Sequence, residues 1–207
     1  MFWSQAIRAT ALTGILILAG CSDAPAPTEA VKTEPKKPAI PTGAIPALTA
    51  YYDTYKIARQ IAPDLQVASI AGNEVDGVKS ENGKYGQWTI VFVSASKKQA
   101  ITFVYTTVEH AGLLRGINNQ GSQPWAGPTR DATPFGNSDF RIDSDEAYTK
   151  AAEKASAWLA KNASKPVTAF SLGQAAALPA PTWYIMWGDK KTGGFAAYVN
   201  AATGTVK

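Results

Sequence analysis

Trp88-Thr-Ile-Val-Phe92 and Trp183-Tyr-Ile-Met-Trp187 decide the fold, because each begins a predicted hairpin of the same design. A Ser/Lys turn and Ile101-Thr-Phe-Val-Tyr105 follow the first, and a Gly/Asp/Lys turn and Ala196-Ala-Tyr-Val-Asn200 follow the second. Alternate residues of a strand share one face, so the two stretches predict matching apolar rows. A shift of 95 residues places Trp88, Ile90, Phe92, Phe103 and Val104 on Trp183, Ile185, Trp187, Tyr198 and Val199.

A helical pattern and a further strand precede each hairpin. The first helix is predicted from Thr49, as N-cap, to about Ala62, since Pro63 disfavours helical geometry at the residue before it. The second helix opens at Asp143, which has the spacing of a capping box with Glu146. The apolar positions of the two helices correspond at a shift of 97 residues. Leu65–Ile70 and Pro166–Leu172 are the predicted first strands of the two units.

These patterns predict an α+β fold of two tandem repeats. Each repeat is expected to hold one helix packed on a small antiparallel sheet of three to four strands. The expected boundaries are residues 47–117 for repeat one, 118–142 for an irregular connector and 143–207 for repeat two. A unit of this size has a thin core, so the repeats are expected to pack together.

The connector contains Gly, Pro, Asn and Ser but also Trp125, Phe135 and Phe140, which a free linker would not need. It is therefore predicted to lie on the repeats with its aromatic rings as anchors. The stretch after Tyr105 fits either a longer strand or a short helix, and the sequence does not decide between them.

Residues 1–20 predict a secretory signal peptide, with Arg8 ahead of an apolar run that is too short to span a bilayer comfortably. The run ends in Leu18-Ala19-Gly20-Cys21, which resembles the lipobox of bacterial lipoproteins. The resemblance implies lipid attachment at Cys21, and Ser22 rather than Asp in the next position implies the outer membrane. The expected location is the outer membrane, with the folded part facing the periplasm. Residues 21–46 then hold the acylated cysteine and a Pro-rich segment, predicted to be a disordered tether.

Several features resemble PepSY domains. They are the helix entry Ile142-Asp-Ser-Asp-Glu-Ala147, the Trp-led middle strand, and the closing stretch Val199-Asn-Ala-Ala-Thr-Gly-Thr-Val206. The resemblance is clearest over residues 142–207 and weaker over residues 47–110, where the Thr-Gly motif is missing. It implies a helix packed on a small antiparallel sheet, and a role in binding proteins or inhibiting peptidases. The pattern carries no catalytic residues.

The composition argues against several kinds of chemistry. The net charge is +4 with dispersed Lys and Arg, which disfavours nucleic-acid binding. The single Cys and single His cannot build a Cys/His zinc site, and His110 has no partner motif. The loop from Asn73 to Asn82 fails the calcium-loop spacing. We therefore expect no catalytic residues, no metal and no cofactor.

Weak candidates for ligand binding remain. Lys97 and Lys98 occupy one hairpin turn, Lys190 and Lys191 occupy the corresponding turn, and Trp125 lies in the connector. Trp88, Trp183 and Trp187 are predicted to be core residues. The expected function is a non-enzymatic, lipid-anchored envelope module that binds a protein, peptidase or peptide, for example at an exposed sheet edge. The alternative is a structural or assembly lipoprotein that acts as a spacer or scaffold.

Overall fold

A computed structural model describes residues 40–207. The predicted signal peptide, Cys21 and most of the tether lie outside the described residues. The elements in chain order are α1 (Ala47–Ala58), β1 (Leu65–Asn73), β2 (Gln87–Ser94), β3 (Gln99–Thr106), β4 (Gly116–Pro124), α2 (Ser144–Leu159), β5 (Val167–Gly173), β6 (Thr182–Trp187) and β7 (Phe195–Asn200). The predicted α+β class is confirmed.

The strands form one continuous antiparallel sheet of seven strands, in the order β4-β3-β2-β1-β5-β6-β7. The seam between the two halves is the β1–β5 pair, whose register spans only Ser69–Ala71 and Ser171–Gly173. Four strands therefore precede the second helix in the chain and three follow it. Sharing one sheet removes two edges that separate sheets would expose.

Both helices cover the same face of the sheet. That face carries the predicted Trp-Ile-aromatic rows of β2 and β6, and Trp88, Trp183 and Trp187 are fully buried there, as predicted. The rings of Trp88 and Trp183 meet edge to face across the seam, with their centroids 6.4 Å apart. Such aromatic pairs stabilise a core beyond their buried area, so the seam lies within a single hydrophobic core.

The pairing register corrects the sequence alignment of the last strands. Ile90 pairs with Phe103, but Ile185 pairs with Ala197 rather than with Tyr198. The correct shift for these strands is therefore 94 residues and not 95, because the second turn is one residue shorter. A slip of one residue moves a side chain to the opposite face, and Tyr198 is accordingly exposed while Phe103 is buried.

The predicted tether and connector are both partly folded. Ile45, assigned to the tether, is buried and pairs through its backbone with Tyr85. The connector predicted for residues 118–142 begins inside β4, which pairs with β3. The chain from Tyr105 therefore continues as a strand to Thr106 and, after a turn, forms another. The anchoring rings Phe135 and Phe140 are buried as predicted, whereas Trp125 is only half-buried.

Helix α1 begins earlier and ends earlier than predicted. Its N-cap is Pro46, so Thr49 lies within the helix, and its last residue is Ala58 rather than Ala62. Pro46 has no side chain that can accept a hydrogen bond. The first amide groups of α1 instead donate hydrogen bonds to the side chains of Ser144 and Asp143, at the start of α2.

Candidate functional site

The five weak candidates fall into two separate places. The backbone N–H of Trp125 donates to the carbonyl of Lys98 at 2.9 Å, which brings Trp125 beside the exposed turn that carries Lys97 and Lys98. Lys190 and Lys191 are exposed in the β6–β7 turn. Because β6 runs antiparallel to β5, and β5 antiparallel to β1, the two turns lie at opposite ends of the sheet. The structure does not combine the candidates into one site.

The remaining polar candidates serve the fold. The ring of His110 forms a hydrogen bond with the Gln87 amide oxygen beside the end of β3. The loop from Asn73 to Asn82 folds into tight turns, one of which is closed by the pairing of Val75 with Val78. Within residues 40–207, no three His, Cys, Asp or Glu side chains lie close enough together to hold a metal ion.

The N-termini of the two helices meet at one carboxylate. Asp143 is the N-cap of α2, and its Oδ1 accepts from the amide of Ser144 at 2.6 Å and from the amide of Leu48 in α1 at 3.0 Å. The hydroxyl of Ser144, which is fully buried, accepts from the amide of Ala47 at 2.9 Å. One dipeptide therefore caps both helices and ties the two halves together.

Burial raises the pKa of Asp143 above its ordinary value, and the hydrogen bonds from Leu48 and Ser144 oppose this shift only in part. A raised folded-state pKa means that the folded protein binds this proton more tightly than the unfolded chain does. The resulting stabilisation is fully present below about pH 4, the ordinary carboxyl range, and is lost as the pH rises through the folded-state pKa.

We therefore expect Asp143→Asn to become more stable relative to the wild type as the pH rises from 3 to 7. The amide oxygen of Asn retains an acceptor for both helix termini but carries no charge to desolvate. Urea unfolding of both proteins at several pH values measures the difference. A difference in unfolding free energy that does not change with pH would contradict the raised pKa.

The outer edges of the sheet are each protected differently. On β7, the amide and carbonyl of Tyr198 pair with Lys207, so the closing residues of the chain cover part of that edge. On β4, the exposed residues from Asn119 to Pro124 are mostly polar, and the strand is interrupted by a bulge. Polar, irregular edges disfavour uncontrolled strand pairing.

An open pocket lies at the seam, between the β1–β2 loop and the second half. Its volume is about 320 Å³. Its lining includes Glu74 and Ser80 from the loop, Tyr148 from α2, Val167 from β5 and Trp187 from β6. We call this pocket the Val167 slot. The side-chain oxygen of Ser80 is buried and has no hydrogen-bond partner, which is unusual for a polar group in a folded protein.

At the opposite end of the seam, the position beside Val67 of β1 is filled. Residues 133–135 of the connector lie between Val67 of β1 and Gln174, which follows β5. The backbone of Phe135 pairs with that of Val67 through two hydrogen bonds of 2.9 Å, and Thr133 donates to the carbonyl of Gln174 at 2.7 Å. We call this position the Val67 slot. It is occupied by a short extended segment that forms an isolated β-bridge where β1 and β5 separate.

Sequence reasoning did not identify the Val167 slot. Its residues span Glu74 to Trp187, so no local motif joins them. The signal that the sequence did contain was the pair Phe135 and Phe140 in the connector, which indicated an anchored segment but not the surface that it covers.

Comparison with known proteins returned no matching family model, curated sequence or solved structure. Neither helix of residues 40–207 has the length and apolar character of a membrane span.

Proposed function

We propose that this chain is a lipid-anchored, non-enzymatic module of the bacterial cell envelope that binds a protein or peptide. The observation that carries the proposal is the open Val167 slot, in which the partly exposed Val167 and Tyr148 lie beside polar residues of the β1–β2 loop. Pockets of this kind are the usual sites of ligand binding.

We further infer that the folded part consists of two PepSY-like repeats. The indole N–H of Trp88 donates to the carbonyl of Ile45 at 2.9 Å, and that of Trp183 donates to the carbonyl of Ile142 at 2.8 Å. Each indole N–H thus links a strand, β2 or β6, to the residue before the N-cap of the helix that belongs to the same half. A matching bulge also follows Val67 in β1 and Val167 in β5.

The repeats are related by a local two-fold arrangement at the seam. Matching bulges give a shift of 100 residues between β1 and β5, which places Ala71 on Ser171. These two residues pair with each other at one end of the β1–β5 register. An axis through that pair relates β1 to β5, so the bulge beside Val67 at one end of the seam has its counterpart beside Val167 at the other end.

Membrane attachment through Cys21 belongs to the same proposal. We expect Cys21→Ser to abolish acylation completely, because serine lacks the thiol that accepts the lipid. Labelling of cells with a palmitate analogue, followed by fractionation, measures the effect. Labelling that persists in the variant would contradict attachment at Cys21, and a chain sedimenting with inner membranes would contradict the outer-membrane location.

The binding function is tested by cross-linking in intact cells. A photo-reactive amino acid at Ala163, an exposed residue on the rim of the Val167 slot, should give discrete adducts with an envelope polypeptide. The same group at Tyr52, which is exposed on α1, serves as the matched control. Peptidases among the captured proteins would then be assayed for inhibition.

The competing role is that of a structural spacer or scaffold. It predicts no adduct specific to position 163, together with an envelope-integrity defect when the gene is deleted. Substrate turnover by the purified protein would contradict both roles.

A further inference from the structure

We propose that the Val167 slot binds an extended peptide segment of a partner protein, which adds to the edge of β5 and inserts an aromatic side chain. This inference rests on the proposed binding function and names its ligand class. The basis is that the protein's own connector occupies the equivalent Val67 slot in this way.

The two slots are built from equivalent residues. The shift of 100 residues that the bulges define places Val67 on Val167 and Glu74 on Gln174. Gln174 lies opposite Val67 in the Val67 slot, and Glu74 lies opposite Val167 in the Val167 slot. On the floor, Tyr51 lies 6.0 Å from Phe92 between ring centroids in the first half. Its counterpart Tyr148 lies 5.8 Å from Trp187 in the second half.

Burial shows that one slot is covered and the other is not. Val67 and Tyr51 are each 1% exposed, because Phe135 and Phe140 of the connector lie against them. Val167 and Tyr148 are both partly exposed. The β1–β2 loop closes only one side of the Val167 slot, where Gly83 packs against α2.

The backbone at the Val167 slot is arranged to accept a strand. In the first half, both the N–H and the C=O of Val67 point away from β2 and pair with Phe135. Val167 has the same position beside the same bulge, and its only strand partner among residues 40–207 is Trp187 of β6. Its outward N–H and C=O are therefore available, as on any sheet edge that can accept another strand.

The chemistry of the slot favours an aromatic residue flanked by polar backbone. A volume of about 320 Å³ is at the small end of ligand sites, which suits one ring and a short backbone segment. Tyr148, which is partly exposed, offers its ring to such a side chain, and Trp187 lies buried behind it.

The probe in this test is a peptide copied from the connector segment that fills the Val67 slot. A fluorescein-labelled peptide with the sequence of residues 131–139, Asp-Ala-Thr-Pro-Phe-Gly-Asn-Ser-Asp, is titrated with the full-length protein in detergent micelles and followed by fluorescence anisotropy. We expect saturable binding. Replacement of the peptide's phenylalanine by alanine should weaken binding roughly tenfold or more, the effect of losing one buried aromatic side chain.

Matched variants locate the binding site. Ala163→Phe places a ring at the exposed rim of the slot and should abolish binding, whereas Ala126→Phe, also exposed, should leave it unchanged. NMR hydrogen exchange should show that the Val167 amide becomes protected when the peptide is added. Equal binding by the two variants, or an unprotected Val167 amide, would overturn the strand-addition mode.

Two further outcomes separate this inference from the proposed function. If the envelope partner cross-links at position 163 but the peptide does not bind, the module binds a ligand of another class and the inference fails alone. If sedimentation shows a dimer that Ala163→Phe disrupts, the slot holds a second copy of the chain, which also overturns the inference. Failure of cross-linking together with failure of peptide binding removes both proposals.

Discussion

Trp183→Ala is expected to lower the free energy of unfolding by about 3–5 kcal/mol, the usual cost of removing a large buried aromatic side chain. The indole of Trp183 is fully buried, packs against Phe170 with ring centroids 5.4 Å apart, and donates to the carbonyl of Ile142. Its removal leaves both a cavity and a partly buried carbonyl without its donor. Urea unfolding followed by circular dichroism measures the loss.

Two further substitutions check the explanation. Trp183→Phe keeps much of the buried area but lacks the N–H, so it should cost less than the alanine variant and still measurably destabilise the protein. Tyr184→Ala, next along β6 but only partly buried on the helix-free face, should cost little. A Trp183→Ala protein that unfolds like the wild type would contradict the assignment of this residue to the core.

Gly83→Ala is expected to destabilise the protein by about 2–4 kcal/mol, because it meets two separate obstacles. The backbone φ angle of Gly83 is +75°, a conformation that residues with a Cβ atom adopt only with strain. An added Cβ would also lie 2.3 Å from the carbonyl oxygen of Ser144 and 2.9 Å from the Cβ of Tyr148. The β1–β2 loop would have to move away from α2.

Gly77 provides the matched control for this prediction. Its φ angle is +82°, but an added Cβ would meet no atom within 4 Å. Gly77→Ala therefore tests the backbone strain alone and should cost about 1–2 kcal/mol. Equal losses for the two variants in thermal or urea unfolding would show that close packing of the loop on α2 contributes nothing.

The core tryptophans were predictable because burial leaves a periodic trace in the sequence. Strand periodicity of two placed Trp88, Trp183 and Trp187 on one face, and the structure buries all three. The same reasoning was less reliable where loops of the two halves differ in length. The sequence shift between the halves is 97 residues in the helices, 100 in β1 and β5, and 95 in β2 and β6. The longer helix–strand loop of the second half is therefore offset by its shorter loop before β6, and the difference is hard to see in the sequence.

Helix capping shows a second limit of prediction from the sequence. The spacing of Asp143 and Glu146 indicated a helix start, and Asp143 is indeed the N-cap of α2. Nothing local indicated that the same carboxylate also accepts from Leu48, which lies 95 residues away. Thr49 was a reasonable N-cap from its residue type, but the pair Asp143 and Ser144 satisfies the α1 amides instead.

The candidate site depends even more strongly on tertiary structure. Phe135 and Phe140 could be recognised as anchors from their sequence, but the surface that they cover could not. Whether a slot is open depends on backbone pairing between residues such as Val67 and Phe135, which lie far apart in the chain.

By itself, the sequence determined the composition class, the apolar rows of the hairpins and the two helical stripes, because each follows from the local periodicity of the backbone. Only the tertiary structure decided that one sheet joins both halves, that one dipeptide caps both helices, and that one slot is filled while its counterpart is open. Those outcomes depend on the pairing of distant backbone groups. Such pairing is selected by the free energy of the whole fold and leaves no periodic signal in the chain.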